Sequence, residues 1–433
     1  MLKTFIMKKY FVISFFTAIT LIFSFFFTGC LKDTCSGTYS YTYYNPVYET
    51  KAGVKANIKS NTAREIQNPG KIYIFGNYIF LNEIDKGIHI IDNSNPSSPK
   101  NAAFIDIPGN LDLAVKGNTL YADLYADLVT IDITDPLNVA VKKYNERIFP
   151  YRDYGNNFSG DSTKVIIDWV KKDTTVTVDC GGNRWWDQNK SIYFMSNNSG
   201  ISLGGGTSNI SASPVGMGGS MARFALVNDF LYTVNDAYLN IFNISNSNNP
   251  LFSNKVLIDW HVETIYPFKN NLFIGSNNGM FIYDIQSSPA NPVKVGQFIH
   301  ARACDPVITD DNFAYVTLHS GTTCLGFNNQ LDIVSLNNLT NATLAKTYNL
   351  TSPHGLSKDG NLLFICDGTD GLKVYDASNV MNLQLIKQIS NWEAYDVIAY
   401  NNIALVVAKD GLYQYDYSNV NNIHLLSKIG ISK

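Results

Sequence analysis

The chain has 433 residues, of which 45% are hydrophobic, 13% aromatic and 16% charged, with a formal net charge of -3. The apolar share supports a packed core and excludes global disorder, while the low charged share argues against a coiled coil or a long solvated helical array. A slightly acidic chain with no basic block beyond Lys8-Lys9 lacks the electrostatic footprint of a nucleic-acid binder.

Lys3, Lys8 and Lys9 precede an uncharged apolar run from Tyr10 to Phe27, closed by Thr28-Gly29-Cys30. A basic start, an apolar stretch and small residues at its end form an export signal. An uncleaved membrane helix is the alternative, because the run approaches spanning length. The Gly29-Cys30 junction resembles a bacterial lipobox, with Phe27 where Leu is usual. That resemblance implies that residues 1–29 are a lipoprotein signal peptide and that Cys30 is acylated after cleavage. Several acyl chains on one Cys hold a protein stably, where a single chain binds only marginally. Leu31-Lys32-Asp33 resembles a sorting tag of some Gram-negative groups. The expectation is an exported protein, lipid-anchored to the outer membrane with its facing open, and 30–65 as tether and N-terminal segment.

Beyond residue 65 one pattern recurs: a turn residue, alternating β-formers, then Asp or a relative. It reads Gly87-Ile88-His89-Ile90-Ile91-Asp92, Asp127-Leu128-Val129-Thr130-Ile131-Asp132, Tyr238-Leu239-Asn240-Ile241-Phe242-Asn243 and Gly279-Met280-Phe281-Ile282-Tyr283-Asp284. Gln330-Leu331-Asp332-Ile333-Val334-Ser335, Gly371-Leu372-Lys373-Val374-Tyr375-Asp376 and Gly411-Leu412-Tyr413-Gln414-Tyr415-Asp416 continue it. The period is about 40 residues, twice lengthened by insertion. In the second unit, Leu111 to Lys116, Leu120 to Leu124, Leu128 to Ile133 and Val139 to Tyr144 alternate with period two between Gly, Asn, Asp and Pro turns. Four strands in that span, without helical spacing, predict an all-β β-propeller over 66–433 with seven four-stranded blades. No strand exchange to close the ring is evident; Val54 to Lys59 is a candidate closing strand.

The phrases Gly87 to Pro96, Leu128 to Pro136 and Ile282-Tyr283-Asp284-Ile285 resemble the LVIVD repeat family of bacterial β-propellers. Ser335 and Asn243 depart from its terminal Asp. The resemblance implies blades and a secreted or surface binding scaffold, and no defined reaction. Between the second and third units lies an irregular insertion, 151–218. Lys164 to Asp168 and Thr174 to Asp179 read as a hairpin within it, and Asn197 to Ser220 reads as a Gly/Ser/Asn-rich loop. Trp185-Trp186 offers an aromatic surface for a sugar or partner protein, or else packs the insertion onto the second and third blades.

Counting back about 20 residues from the end of each repeat locates the start of the innermost strand. There stand Lys71, Asp112, Arg223, Glu263, Asp305, His354 and Asp396, all polar between apolar neighbours. Two readings follow: a ring at one channel mouth that binds a polar ligand, or carboxylates that accept backbone N–H groups and staple adjacent blades. The same rim gathers Glu83, Asp85, Asp123, Asp127, Asp236, Asp367, Asp370 and Asp410. Oxygen-rich loops of this kind can hold calcium, although none matches the twelve-residue calcium loop and the Asp-Gly pairs are also turn chemistry. No other cofactor is expected.

Cys304 and Cys324 map to one rim in an oxidising compartment and predict a disulfide, contributing on the order of 3 kcal/mol. Cys366 ends an apolar strand and reads as a buried thiol; a Cys35-Cys180 pairing is open. Gly200-Ile201-Ser202-Leu203-Gly204 matches a nucleophile-elbow string but lacks the required strand and helix. Phosphate loops, dinucleotide fingerprints and His-Glu-x-x-His pairs are absent from the sequence. The expected role is a non-catalytic, lipid-anchored propeller that binds an envelope protein, peptide or glycan on its polar rim. The alternatives are an exported hydrolase or lyase using rim carboxylates and a structural subunit of an envelope complex.

Overall fold

The computed structural model describes residues 36–152, 154, 158–179, 217–300, 306–320 and 328–431. Two compact units divide the chain, Pro46–Asp168 with Asn198–Lys433 and Met1–Asn45 with Trp169–Asn197. The larger unit is a seven-bladed propeller of four-stranded antiparallel sheets. In blade 1 the strands run Pro69–Phe75, Tyr78–Glu83, Gly87–Asp92 and Lys100–Asp106, from the axis outward. The other blades occupy 113–145, 224–257, 262–299, 307–349, 356–389 and 394–430. The innermost, second, third and outermost strands are called a, b, c and d.

One local device, varied in blades 4 and 5, explains the repeat. At the end of strand c the Asp accepts the N–H and hydroxyl two residues on, as Asp92 does from Ser94 (2.9 and 2.6 Å) and Asp132 from Thr134 (2.9 and 2.6 Å). Asn243 does the same for Ser245, which accounts for its replacing Asp. The next N–H donates to the turn between strands a and b, Ile133 to Asn118 in blade 2 and Ala377 to Asn361 in blade 6. Strand d is bulged at one equivalent place in every blade, which adds the twist a propeller blade needs. Gly87 and Gly371 open their strands with positive φ, where a Cβ would run into a carbonyl of strand d.

Each blade is buried on both faces by its neighbours. The seam between the last blade and the first contains Ile72, Ile79, Leu81 and Ile91 against Ile398, Leu405, Val407 and Leu412. Gln414 exchanges hydrogen bonds with Asn93 (2.7 and 3.0 Å), and Ser427 donates to the Pro96 carbonyl (2.6 Å). The ring therefore closes through side chains, and all four strands of blade 7 come from one continuous stretch.

Two expectations change. Val54 to Lys59 supplies no closing strand: Lys51–Ala56 is a short helix capped by Thr50, with Val54 buried. Ser60–Thr62 instead extends the outer edge of blade 1. The hairpin expected from 164 to 179 is one continuous strand, Lys164–Asp179, paired with Ser36–Thr50. Lys171-Lys172-Asp173 has no Gly, Pro or Asn to turn the chain, so alternation carries straight through. Among the described residues no helix is long and apolar enough to cross a membrane; the 1–29 segment and Cys30 lie outside them.

Candidate functional site

Strand a carries Lys71 in blade 1, Glu263 in blade 4 and Asp396 in blade 7, while Asp112, Arg223 and His354 stand just before theirs. Met217–Gly218 pairs antiparallel with Ile74 and Tyr73 on strand a of blade 1. From there residues 219–222 are buried on their way to blade 3. The Ser220 hydroxyl accepts the Leu356 N–H of blade 6 (3.1 Å), and the Ala222 carbonyl accepts the Ile265 N–H of blade 4 (2.8 Å). Lys71 of blade 1 donates to the Met221 carbonyl (2.6 Å). The segment is thus a spoke fixed to blades on opposite sides of the ring.

Lys71 and Asp112 serve this spoke. They form an ion pair at 3.1 Å, both almost fully buried. The same Asp112 oxygen accepts the Arg223 N–H, and its other oxygen accepts the Leu113 N–H (2.7 Å). Burial pushes the Lys71 ammonium down, and Asp112 opposes this. Asp396 is fully buried on strand a of blade 7, one oxygen accepting the Val397 N–H (2.6 Å). Its other oxygen has no hydrogen-bond partner among the described residues, and burial raises its pKa well above the carboxylate range. Glu263 lies partly buried on strand a of blade 4. Asp305, Trp185, Trp186, Cys304 and Cys324 lie outside the described residues.

His354 leads into strand a of blade 6. Its ring packs against His319 (centroids 4.4 Å) and meets Tyr395 edge-on (5.7 Å). Burial, then the neighbouring His319, lowers His354 to about 3; burial also lowers His319, against the pull of Asp367. Burial favours the neutral form of both imidazoles, whose rings are tilted by 41° to one another. A second stack is Trp392 on Tyr413 (4.8 Å, 14°) in blade 7.

The rim carboxylates are occupied in holding loops. Glu83 accepts the Asn68 and Gln67 N–H groups (2.5 and 3.1 Å) and the His89 ring (2.9 Å). Asp123 takes Leu111 and Asp112 N–H (2.8 and 2.9 Å), and Asp367 takes Thr351 and Ser352 N–H (3.0 and 2.7 Å). Lys373 spans Asp367 and Asp370 at 2.5 and 2.7 Å. Asp127 accepts the Arg147 N–H (2.9 Å), Asp410 holds Lys428 (2.6 Å), and Asp85 pairs with Arg152. Among the described residues no three His, Cys, Asp or Glu side chains cluster as metal ligands. Cys366 is a buried free thiol, as its strand pattern predicts.

Sequence reasoning passed over Trp260, which is 66% exposed on the loop joining blades 3 and 4. Its backbone N–H donates to the Asp259 carboxylate (2.8 Å), and the next residue, His261, holds a positive φ of 56° with its ring 3.6 Å from Asp236. The available signal was a Trp set between Asp and His at the point where a strand must end.

Known proteins bear on the fold. The LVIVD repeat model matches residues 69–103, 110–144, 218–257 and 269–299. No curated protein sequence matches the chain. Among solved structures, a Pseudomonas aeruginosa periplasmic gluconolactonase aligns with a TM-score of 0.52 at 11% identity, covering 87% of this chain and 96% of its own. The computationally designed Ika8 protein aligns with a TM-score of 0.50 at 10% identity, covering 86% and 90%. A Lactobacillus plantarum protein gives 0.50 at 11%, covering 76% and 87%. At these identities the likeness is one of fold alone.

Proposed function

For a chain that carries LVIVD repeats in a seven-bladed propeller, we propose a non-catalytic binding role: an exported protein, lipid-anchored through Cys30 to the outer membrane, that holds an envelope protein, peptide or glycan on its loop rim. The observation that carries this reading is the filled axis. Residues 217–223 run where a substrate would enter, Lys71 and Asp112 are spent on them, and rim carboxylates hold backbone N–H groups. A rim built this way is a stiff surface, and on it Trp260 stands exposed beside His261 and Asp236. Exposed Trp at a rigid rim is the residue type that anchors partners or stacks on sugar rings.

The test is co-purification from the native membrane after mild cross-linking. A specific partner should be retained by the wild type, lost on Trp260→Ala and unaffected by Tyr400→Ala, an exposed aromatic at the opposite ends of the strands. Turnover of a glycan or ester panel, abolished by Asp305→Ala with His354→Ala, would overturn the reading in favour of an exported hydrolase or lyase. Loss of the partner only on deleting 151–218 would favour a structural subunit docked by its insertion. Cys30→Ser should release the protein into the soluble fraction; continued membrane association would refute the lipid anchor. Calcium belongs to the proposal only if millimolar calcium raises the melting temperature and a chelator reverses it.

A further inference from the structure

On the side of the propeller, between blades 2 and 3, lies a cleft of about 340 Å³. The end of blade 2 forms one wall with Asn145, Glu146, Arg147 and Ile148; Asn240, Phe252 and Lys255 of blade 3 form the other. Its seam is sealed by Lys143, which donates to the Pro250 carbonyl (2.6 Å) and the Asn249 amide oxygen (2.7 Å), and by Asn145, which donates to Pro250 (3.3 Å).

The charges in this cleft do not cancel. Glu146 is taken by Lys55 (2.7 Å), and Lys143 donates to neutral acceptors. Among the described residues neither Arg147 nor Lys255 meets a carboxylate; Lys255 lies over the Tyr238 ring at 4.0 Å. Arg147 is held with a positive φ of 56°, its N–H fixed by Asp127 (2.9 Å). A non-glycine residue kept in that region costs conformational energy, and the clamp on its N–H maintains it against that cost. Phe252 is 48% exposed and Tyr238 37% exposed, while Asn240 is buried.

We propose that this cleft binds an acidic sugar, a uronic acid unit of an oligosaccharide. The guanidinium of Arg147 suits a carboxylate, with Lys255 as a second cation. Phe252 offers an apolar face for the C–H side of a pyranose ring. The volume stands at the small end of ligand sites, matching one or two sugar units. The cleft borders the loop rim, whose Asp127 holds the Arg147 N–H, but it does not use Trp260, so the two proposals are tested separately.

Isothermal titration of the full chain in detergent with trigalacturonate tests it, beside the methyl-esterified trisaccharide, triglutamate and inorganic phosphate. Trigalacturonate should bind, with the ester at least about tenfold weaker. Arg147→Gly should weaken binding about tenfold while leaving the melting temperature unchanged or higher, because Gly accepts a positive φ without strain. Lys255→Gln should weaken it less. Absence of trigalacturonate binding, equal binding of the ester, equal or tighter binding of triglutamate or phosphate, or unchanged affinity in Arg147→Gly would each overturn the proposal.

Discussion

Asp376 closes strand c of blade 6 by accepting the Ser378 N–H (2.8 Å), a task Asn243 performs equally in blade 3. Asp376→Asn should therefore leave the melting temperature nearly unchanged, whereas Asp376→Ala should lower it; equal losses would show that charge and not the acceptor matters. His354 makes stability pH-dependent. Its folded pKa of about 3 lies below the unfolded value of 6.5, so the unfolded state takes up the proton first and stability falls as pH drops from 6.5 toward 3. Between pH 7 and pH 5 the loss from this residue is up to about 2 kcal/mol. His354→Gln should flatten that part of the melting-temperature profile, and an unchanged slope would refute the assignment. Asp396 has the opposite sign: a raised carboxyl pKa favours the folded state at low pH and penalises it as pH rises. Asp396→Asn should melt higher than wild type, with a gap that widens from pH 5 to pH 8; no gap would mean that the carboxylate is stabilised in place.

At the scale of elements the blades were legible and the spoke was not. Strand alternation, Gly and Asn turns and the Asp-x-Ser/Thr stop are local, and each leaves a repeated mark in the sequence. Met217-Gly218-Gly219-Ser220 falls in the stretch that reads as loop because the bonds of this segment reach residues 136 and 150 positions away, Leu356 from Ser220 and Lys71 from Met221. The same holds for the site residues. Lys71, Asp112 and Asp396 could be found by period, but their use depends on what stands opposite them. Trp260 breaks no period and escaped notice. Lys71→Met should cost about 3–5 kcal/mol, because it leaves Asp112 buried without its cation. Adding Asp112→Asn should recover a large part of that loss in chemical denaturation, and strictly additive losses would argue against a coupled pair.

Across the whole molecule, six seams join blades that follow one another in the chain, and the seventh joins blade 7 to blade 1 with no strand shared between them. A ring held there by apolar packing and the Gln414, Asn93 and Ser427 hydrogen bonds should open first at that seam. Hydrogen exchange should be faster in the outer strands of blades 7 and 1 than in blades 4 and 5, and faster still in Gln414→Ala; uniform protection would mean that the ring unfolds as one unit. The spoke bears on how such a ring is assembled. Met217–Gly218 runs antiparallel to strand a of blade 1, so the spoke travels along the axis toward the loop rim, where it enters blade 3. Blades 3 to 7 are then synthesised after the thread that they surround, and the final docking of blade 7 encircles a strand already attached to blade 1. The order of events during synthesis is written into the topology: a ring that shuts before its thread is seated traps itself empty and must reopen to be corrected.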